Sequence, residues 1–516
     1  MRFFLIVFFF IISVINLFSQ SNYLPLNNVE ISRYENILYS NSTIHTSIKP
    51  YFYRDIKTVI DSFKKNDTLK NIIKTINLIN IKTDKSNLTI NPVLSLGSNF
   101  TTKQFYYYLS YGASLNSNIT KQLSININFY KNTYTFSDDT RSFIDSTLII
   151  PHNGTFLNKK NGRYNFLTTT GYISYSPSKY FNFQLGRDKN FFGDGYRSLQ
   201  LSDNSNYNPF LKGSVKVWKV KYTIIYSLLK DVNTNINYNN LQKKYDVVHY
   251  LSWNVNKRLN FNLFETVVWN NGDSIYTRGY DVNYLNPIIF FRPVEYSVGS
   301  PDNVLMGGGL KLRIFKNTHL YGQFILDEFK LAEIKAKTGW WANKYGYNAG
   351  LKTFNFLNIK NLYLQVEYNY TRPFIYSHNT SLECYGSYSQ PLAHPLGANF
   401  TEFIAIVRYN MPRLIIEAKL LNAKYGTNKD SINVGQNIHL PNQINTNIYG
   451  NYTHQGDLHN SLISDINISY LLNKDMHFYF NAGIRNYHLV SDDEKQKTTI
   501  IFLGFKTNLY NYNGFY

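Results

Sequence analysis

Arg187, Asp188, Asn190, Asp194, Tyr196 and Arg197 stand within one short stretch that also holds Gly193 and Gly195. Their types suit a sugar. An arginine forks onto a carboxylate, an aspartate accepts from hydroxyls, and a ring such as Tyr196 or Phe192 stacks on a pyranose face. The glycines let the chain bend sharply enough to gather these groups. A second reading is equally physical: Arg187 and Arg197 pair with Asp188 and Asp194 and close the barrel mouth without any ligand.

A second stretch places Ile288, Ile289, Phe290 and Phe291 ahead of Arg292 and Glu295, then reaches Asp302 and Asn303. It is apolar where a surface loop should be polar. We expect it to fold inward as a plug, with Arg292 and Glu295 meeting charges such as Arg485, Glu367 or Lys506; a charged pore constriction is the alternative. His378, Glu383, Cys384 and His394 share one loop, but their spacing fits none of the short zinc patterns, so no metal or other cofactor is expected. The chain has no Gly-x-Ser-x-Gly elbow, phosphate-binding loop or His-Glu-x-x-His, and Asp138-Asp139, Asp327-Glu328 and Asp492-Asp493 read as strand ends and solvated loops. The expectation is a protein that is not an enzyme, although a hydrolase whose site needs no local motif stays open.

The elements that must carry these residues are strands. Leu123, Ile125, Ile127 and Phe129 alternate with Ser124, Asn126 and Asn128, and Leu362, Leu364, Val366, Tyr368 and Tyr370 alternate with Gln365, Glu367 and Asn369. The same period of two returns around Phe478 to Arg485 and Ile501 to Leu509. Stretches of about ten such residues, separated alternately by tight turns and long polar loops, are the mark of an outer-membrane β-barrel, since lipid tolerates extended backbone only in a closed sheet. A soluble β-sandwich also alternates, but neither the loop lengths nor the leader fits one. The spacing predicts about 18 antiparallel strands from residue 87 to 516, starting near Leu88, Tyr106, Gln122, Thr168, Tyr180, Lys212, Lys221, Val247, Leu259, Val304, His319, Tyr345, Leu362, Glu402, Leu414, Ser464, Met476 and Thr498. Short turns after the even-numbered strands then face the periplasm. The long connections, among them 136–165, 191–209, 271–302, 374–398 and 426–458, face outward.

Residues 1–19, with Arg2 and an apolar core from Phe3 to Ile12, read as a secretory signal peptide. Residues 20–86 lack the alternation, and isoleucines at three- and four-residue spacing from Arg54 to Ile81 predict a small helical periplasmic element. An aromatic content of 17%, with 45 Tyr and 37 Phe, suits girdles at two membrane interfaces. Mean hydropathy is −0.31, because lumen residues dilute the lipid-facing ones. The formal charge of +20 is scattered rather than gathered in a stripe, which argues against nucleic acid and leaves lipopolysaccharide or an acidic polysaccharide as partners of such a surface. Cys384 is the single cysteine, so no intramolecular disulfide forms.

Three loop segments carry a family resemblance: Gly186-Arg187-Asp188-Lys189-Asn190-Phe191-Phe192-Gly193-Asp194-Gly195-Tyr196-Arg197-Ser198, the run from Phe291-Arg292-Pro293-Val294-Glu295 through Ser300-Pro301-Asp302-Asn303, and Gln390-Pro391-Leu392-Ala393-His394-Pro395-Leu396-Gly397-Ala398-Asn399. With residues 45–51 they span most of the mature chain. Together they resemble the Wzi-like outer-membrane family, and more nearly its gliding-motility RemB-like branch. The resemblance implies an 18-stranded, lectin-like barrel with a periplasmic helical element, brought to the outer membrane by the barrel-assembly machinery. In the capsule-assembly members such a barrel holds capsular polysaccharide at the cell surface; in the motility branch the implied role is adhesion or gliding, with exopolysaccharide. The functional expectation is therefore a surface protein that binds or organises exported polysaccharide, with a plugged or passive porin-like channel as the alternative.

Overall fold

The computed structural model describes residues 22–511 except 67–69, 85, 232–240, 273–277, 287–301 and 445. The leader at 1–19 lies outside the described residues, as do Arg292 and Glu295. Eighteen antiparallel strands close into one barrel. They are β1 (Asn87–Phe100), β2 (Phe105–Asn118), β3 (Leu123–Tyr134), β4 (Arg163–Tyr175), β5 (Phe181–Asp188), β6 (Asn208–Val217), β7 (Val220–Asp231), β8 (Gln242–Asn254) and β9 (Leu259–Asn270). The second half comprises β10 (Asn303–Phe315), β11 (Thr318–Leu326), β12 (Tyr345–Phe354), β13 (Leu362–Thr371), β14 (Phe400–Asn410), β15 (Leu414–Thr427), β16 (Asp457–Asn473), β17 (Phe478–Val490) and β18 (Lys495–Thr507). β18 closes on β1 between Ile501↔Phe100 and Lys506↔Ser95.

The burial pattern is that of a wall between lipid and a polar interior. On β3, Ile127 and Phe129 are 44% and 46% exposed on the outside, whereas Ser124 and Asn128 are 0% and 3% exposed on the inside. A soluble sandwich would bury the opposite set. Expected starts at Leu259, Tyr345, Leu362 and Leu414 are the observed ones. The largest shift is at β16, which begins at Asp457 rather than Ser464 because β15 and β16 stay paired as far as Thr427↔Asp457, beyond the stretch where hydrophobicity alternates.

The interior is filled with protein. Residues 22–66 enter the end that carries the short turns, forming helices α1 (Asn28–Ser40) and α2 (Tyr53–Asn66). Asn27 caps α1, its side-chain oxygen accepting from Val29 N at 3.0 Å and Glu30 N at 3.2 Å. Leu38, Tyr51, Ile56, Val59 and Ile60 form the small core between the helices. Contacts to the wall fix the depth: Glu30 pairs with His477 in the β16–β17 turn at 3.1 Å, and Arg54 donates to the Ser178 carbonyl in the β4–β5 turn at 2.8 Å.

From the other end, the connections 189–207 and 372–399 fold into the lumen instead of outward. Phe192, Leu199, Leu201, Tyr376, Tyr385 and Leu392 join inward wall residues such as Phe264 and Ile325 in one hydrophobic cluster. Phe191 and Phe192 pair antiparallel with Lys49 and Ile48, so the plug from one end is stitched to the loop from the other.

The helical run expected to reach Ile81 ends at Asn66, and Ile79–Lys82 is extended. Branching at Cβ explains the difference: the isoleucines that imitate a helical stripe fit a pleated strand better, and Ile79 to Lys82 adds to the lower edge of β1.

Candidate functional site

The structure takes the six residues of the glycine-bent segment to separate partners within the barrel. Arg187, at the end of β5, is half-buried and donates to the carbonyls of Tyr207 at 3.1 Å and Thr169 at 3.2 Å. Asp188 accepts from Lys189 N at 2.8 Å, and Asn190 accepts from Lys212 Nζ at 3.0 Å. Asp194 is buried and accepts from Tyr39 O–H at 2.8 Å and from the Thr46 hydroxyl, both on the plug. Burial pushes its carboxyl up, but Lys311, the Thr46 hydrogen bond, Lys49 and Lys352 together hold it below the ordinary carboxylate value. The backbone N–H groups of Tyr196 and Arg197 donate to Glu367 at 2.7 and 3.0 Å, and Arg197 reaches Glu402 at 3.3 Å. Arg187 is thus spent on backbone carbonyls and Arg197 on Glu402; Gly193 and Gly195 let the segment run against Gln323 and Glu367, where a Cβ would stand within 2.6 Å of their side chains.

Of the second segment, Asp302 accepts two bonds from Arg278, at 2.6 and 2.8 Å, and one from Tyr284 O–H at 2.6 Å; Asn303 donates to the Glu383 carbonyl at 2.9 Å. Arg485, expected to meet the plug, forks onto Asp465 at 2.6 and 2.8 Å. The four residues of the 378–394 loop do not converge. His378 faces Glu383 at 3.7 Å, His394 bonds Glu402 at 2.7 Å, and Cys384 Sγ lies 3.3 Å from Lys244 Nζ and 3.4 Å from His439 Nδ1.

Sequence reasoning missed the ion pairs that seat the plug. Glu35 on α1 takes Lys352 at 3.0 Å and Arg408 at 3.2 Å, and Asp55 on α2 takes Lys221 at 2.7 Å and Lys216 at 3.3 Å. Burial raises the Glu35 carboxyl, but Lys352 and Arg408 prevail and hold it down at about 2. His45, bonded to Ser252 Oγ at 2.9 Å, is driven down to about 3 by burial, with Lys221 and Lys216 adding to the effect. Both folded values lie below the unfolded ones, roughly 4.3 for Glu and 6.5 for His. Each group's contribution is therefore complete above its unfolded value and is lost as pH falls, His45 first and Glu35 from about pH 4 towards 2. Protease cleavage within 22–66 should rise as pH is lowered from 7 to 3; a flat profile would mean that these groups do not seat the plug.

A surface unforeseen from sequence lies on the outward loops. Residues 328–343 and 446–453 interlock through Trp341 N to Ile448 O (3.1 Å), Gly450 N to Thr338 O (2.9 Å), Asn451 N to Gly339 O (2.8 Å) and Tyr452 O–H to Lys337 O (3.0 Å). Arg372 clamps both, donating to the carbonyls of Trp340 at 3.4 Å and Asn451 at 3.0 Å. Gly339, at φ +67°, admits the facing backbone so closely that a Cβ would stand 2.8 Å from Asn451 N. The resulting platform presents Tyr449 and Tyr452, 54% and 55% exposed, beside half-buried Trp340, whose ring lies 5.7 Å from Lys330 Nζ. Lys335 and Lys337 are also exposed there, and the acids of the 328–343 segment are Glu328, 3.4 Å from Lys344, and Glu333, 3.5 Å from Lys330. Rings for stacking, framed by cations, match the chemistry of a carboxylated sugar.

No family model matches the chain, and no curated protein matches it. Among solved structures it is similar to Wzi, described as an outer-membrane protein involved in group 1 capsule assembly in Escherichia coli and as a carbohydrate-binding β-barrel, with a TM-score of 0.57 and 12% identity over 95% of this chain and 100% of that one. OprD of Pseudomonas aeruginosa aligns with a TM-score of 0.43 and 10% identity, over 85% of this chain and 98% of its own. OccAB2 of Acinetobacter baumannii gives 0.43 and 10%, over 82% and 98%. The chain thus has the fold of the Wzi outer-membrane barrel.

Proposed function

We propose that the protein is a non-enzymatic cell-surface barrel that binds or organises exported polysaccharide. The observation that carries this reading is the platform of Trp340, Tyr449 and Tyr452, set among Lys330, Lys335 and Lys337 on interlocked outward loops. The carbohydrate binding described for Wzi, which shares the fold, agrees with it. A lumen packed with folded chain favours work at the surface over passage through the barrel. In this reading Asp194 and Arg197 hold the inward loop, and a role in adhesion or gliding follows from what the glycan does.

The platform is tested with Trp340→Ala combined with Tyr452→Ala, measured against purified surface polysaccharide. Each ring is expected to contribute about 1 kcal/mol, so the pair should weaken binding roughly thirtyfold. The heat-modifiable folded band should be unchanged. Full-strength binding by the folded double variant would remove the platform from the proposal. Steady single-channel conductance of the intact protein in a planar bilayer would favour the channel reading instead.

A further inference from the structure

Residues 70–82 run along the short-turn rim of the wall. Ile72 N and Ile73 N donate to the Leu472 carbonyl at 3.0 and 3.3 Å, and Asn473 Nδ2 donates to the Ile73 carbonyl at 2.9 Å. Asn71 and Thr75 both donate to Asp475, at 2.8 and 3.1 Å, and Arg413 donates to the Lys70 carbonyl. The segment then crosses to the barrel seam. Leu78 N donates to Ile90 O at 2.8 Å, and Ile79–Lys82 pairs with the lower end of β1, which β18 leaves open by ending its ladder at Lys506↔Ser95.

The backbone is thus tightly held while the side chains are bare. Ile72, Ile76, Leu78 and Ile81 are 53%, 55%, 61% and 54% exposed. A row of this kind in water would be an anomaly. The register says what covers it. Ile79 lies opposite Ile90, Ile90 opposite Leu115, and Leu115 opposite Ile127. Residues directly opposite in a ladder share a face, and Ile127 belongs to the outward face of the barrel. Ile81, two residues on from Ile79, shares that face. The strap therefore continues the apolar belt at the short-turn end, and Lys70 and Lys74 are exposed along it.

We propose that residues 70–82 form a membrane-interface strap whose apolar side chains enter the periplasmic leaflet and whose lysines meet anionic phospholipid headgroups. The pattern of apolar side chains with interspersed lysines at a membrane boundary fits such a surface, and continuity with the lipid-facing wall favours lipid over a periplasmic protein. This inference is independent of the polysaccharide reading.

The test uses the full chain with Ile79→Cys or Ile81→Cys, labelled with a nitroxide; Cys384 is buried and stays unlabelled. In phosphatidylcholine vesicles containing phosphatidylglycerol, both labels should collide with oxygen more than with a water-soluble nickel chelate. A label at Ile127 should do the same, whereas one at Tyr449 should prefer the chelate. Chelate-dominated collisions at both strap positions would overturn the proposal, as would shielding that exists only in native membranes and vanishes in vesicles, the signature of a protein partner. Lys70→Gln and Lys74→Gln together should lower the preference of the protein for spin-labelled phosphatidylglycerol over phosphatidylcholine by severalfold. An unchanged preference would overturn the headgroup assignment.

Discussion

Glu35→Ala is expected to loosen the N-terminal plug by about 3–5 kcal/mol, the cost of removing one partner from a buried ion pair. Glu35 holds Lys352 with one carboxylate oxygen and Arg408 with the other, and all three side chains are largely buried. Arg408 retains Glu417 at 2.8 Å, so the loss falls on Lys352, which keeps the Tyr39 hydroxyl at 3.1 Å. A buried ammonium left with a neutral acceptor is poorly compensated. The plug should therefore leave its seat more often, which is read as faster cleavage within 22–66 and as intermittent current across a planar bilayer. Glu35→Gln preserves shape and some hydrogen bonding, and should fall between the wild type and Glu35→Ala. Wild-type cleavage and silence in the bilayer for Glu35→Ala would mean that the α1 core and the Asp55 pairs seat the plug without it.

The wall was legible in the sequence because its physics is local. A residue that faces lipid is followed by one that faces the lumen, so Leu123 to Phe129 declare both faces without knowledge of any partner. The contents of the lumen are not local. Glu35 and Lys352 are 317 residues apart in the chain, and Arg197 and Glu402 are 205 apart. A polar loop also matches a polar lumen as well as it matches water, so nothing in residues 189–207 says which way they turn. The expectation that they face outward fails for that reason. In the sequence Gly193 and Asp194 look like features of a surface loop; in the structure they lie against Ser47, Thr46 and Tyr39 of a segment whose pattern predicts a separate periplasmic element. The Trp340 platform is equally silent, since it exists only once 328–343 and 446–453 hydrogen-bond to each other.

The same long-range logic makes Glu402 the most informative single position in the interior. Its side chain, on β14, is 0% exposed. It accepts from Arg197 at 3.3 Å, from Asn369 at 3.2 Å, and meets His394 at 2.7 Å, so one carboxylate binds both inward loops, 189–207 through Arg197 and 372–399 through His394. Glu402→Ala takes the carboxylate from a guanidinium that is 8% exposed, and should cost about 3–5 kcal/mol. The loss should appear as a lower temperature for the heat-modifiable transition and as new protease cuts in both loops together. Replacing the pair by Arg197→Leu with Glu402→Leu removes both charges and leaves apolar bulk, which for buried pairs is far milder than removing one partner. The double variant should therefore be more stable than Glu402→Ala despite carrying one more substitution. If Glu402→Ala proves no less stable than the double variant, or opens only one of the loops, the carboxylate is not the link between them, and packing around Phe192 and Tyr376 must keep the loops inside the barrel.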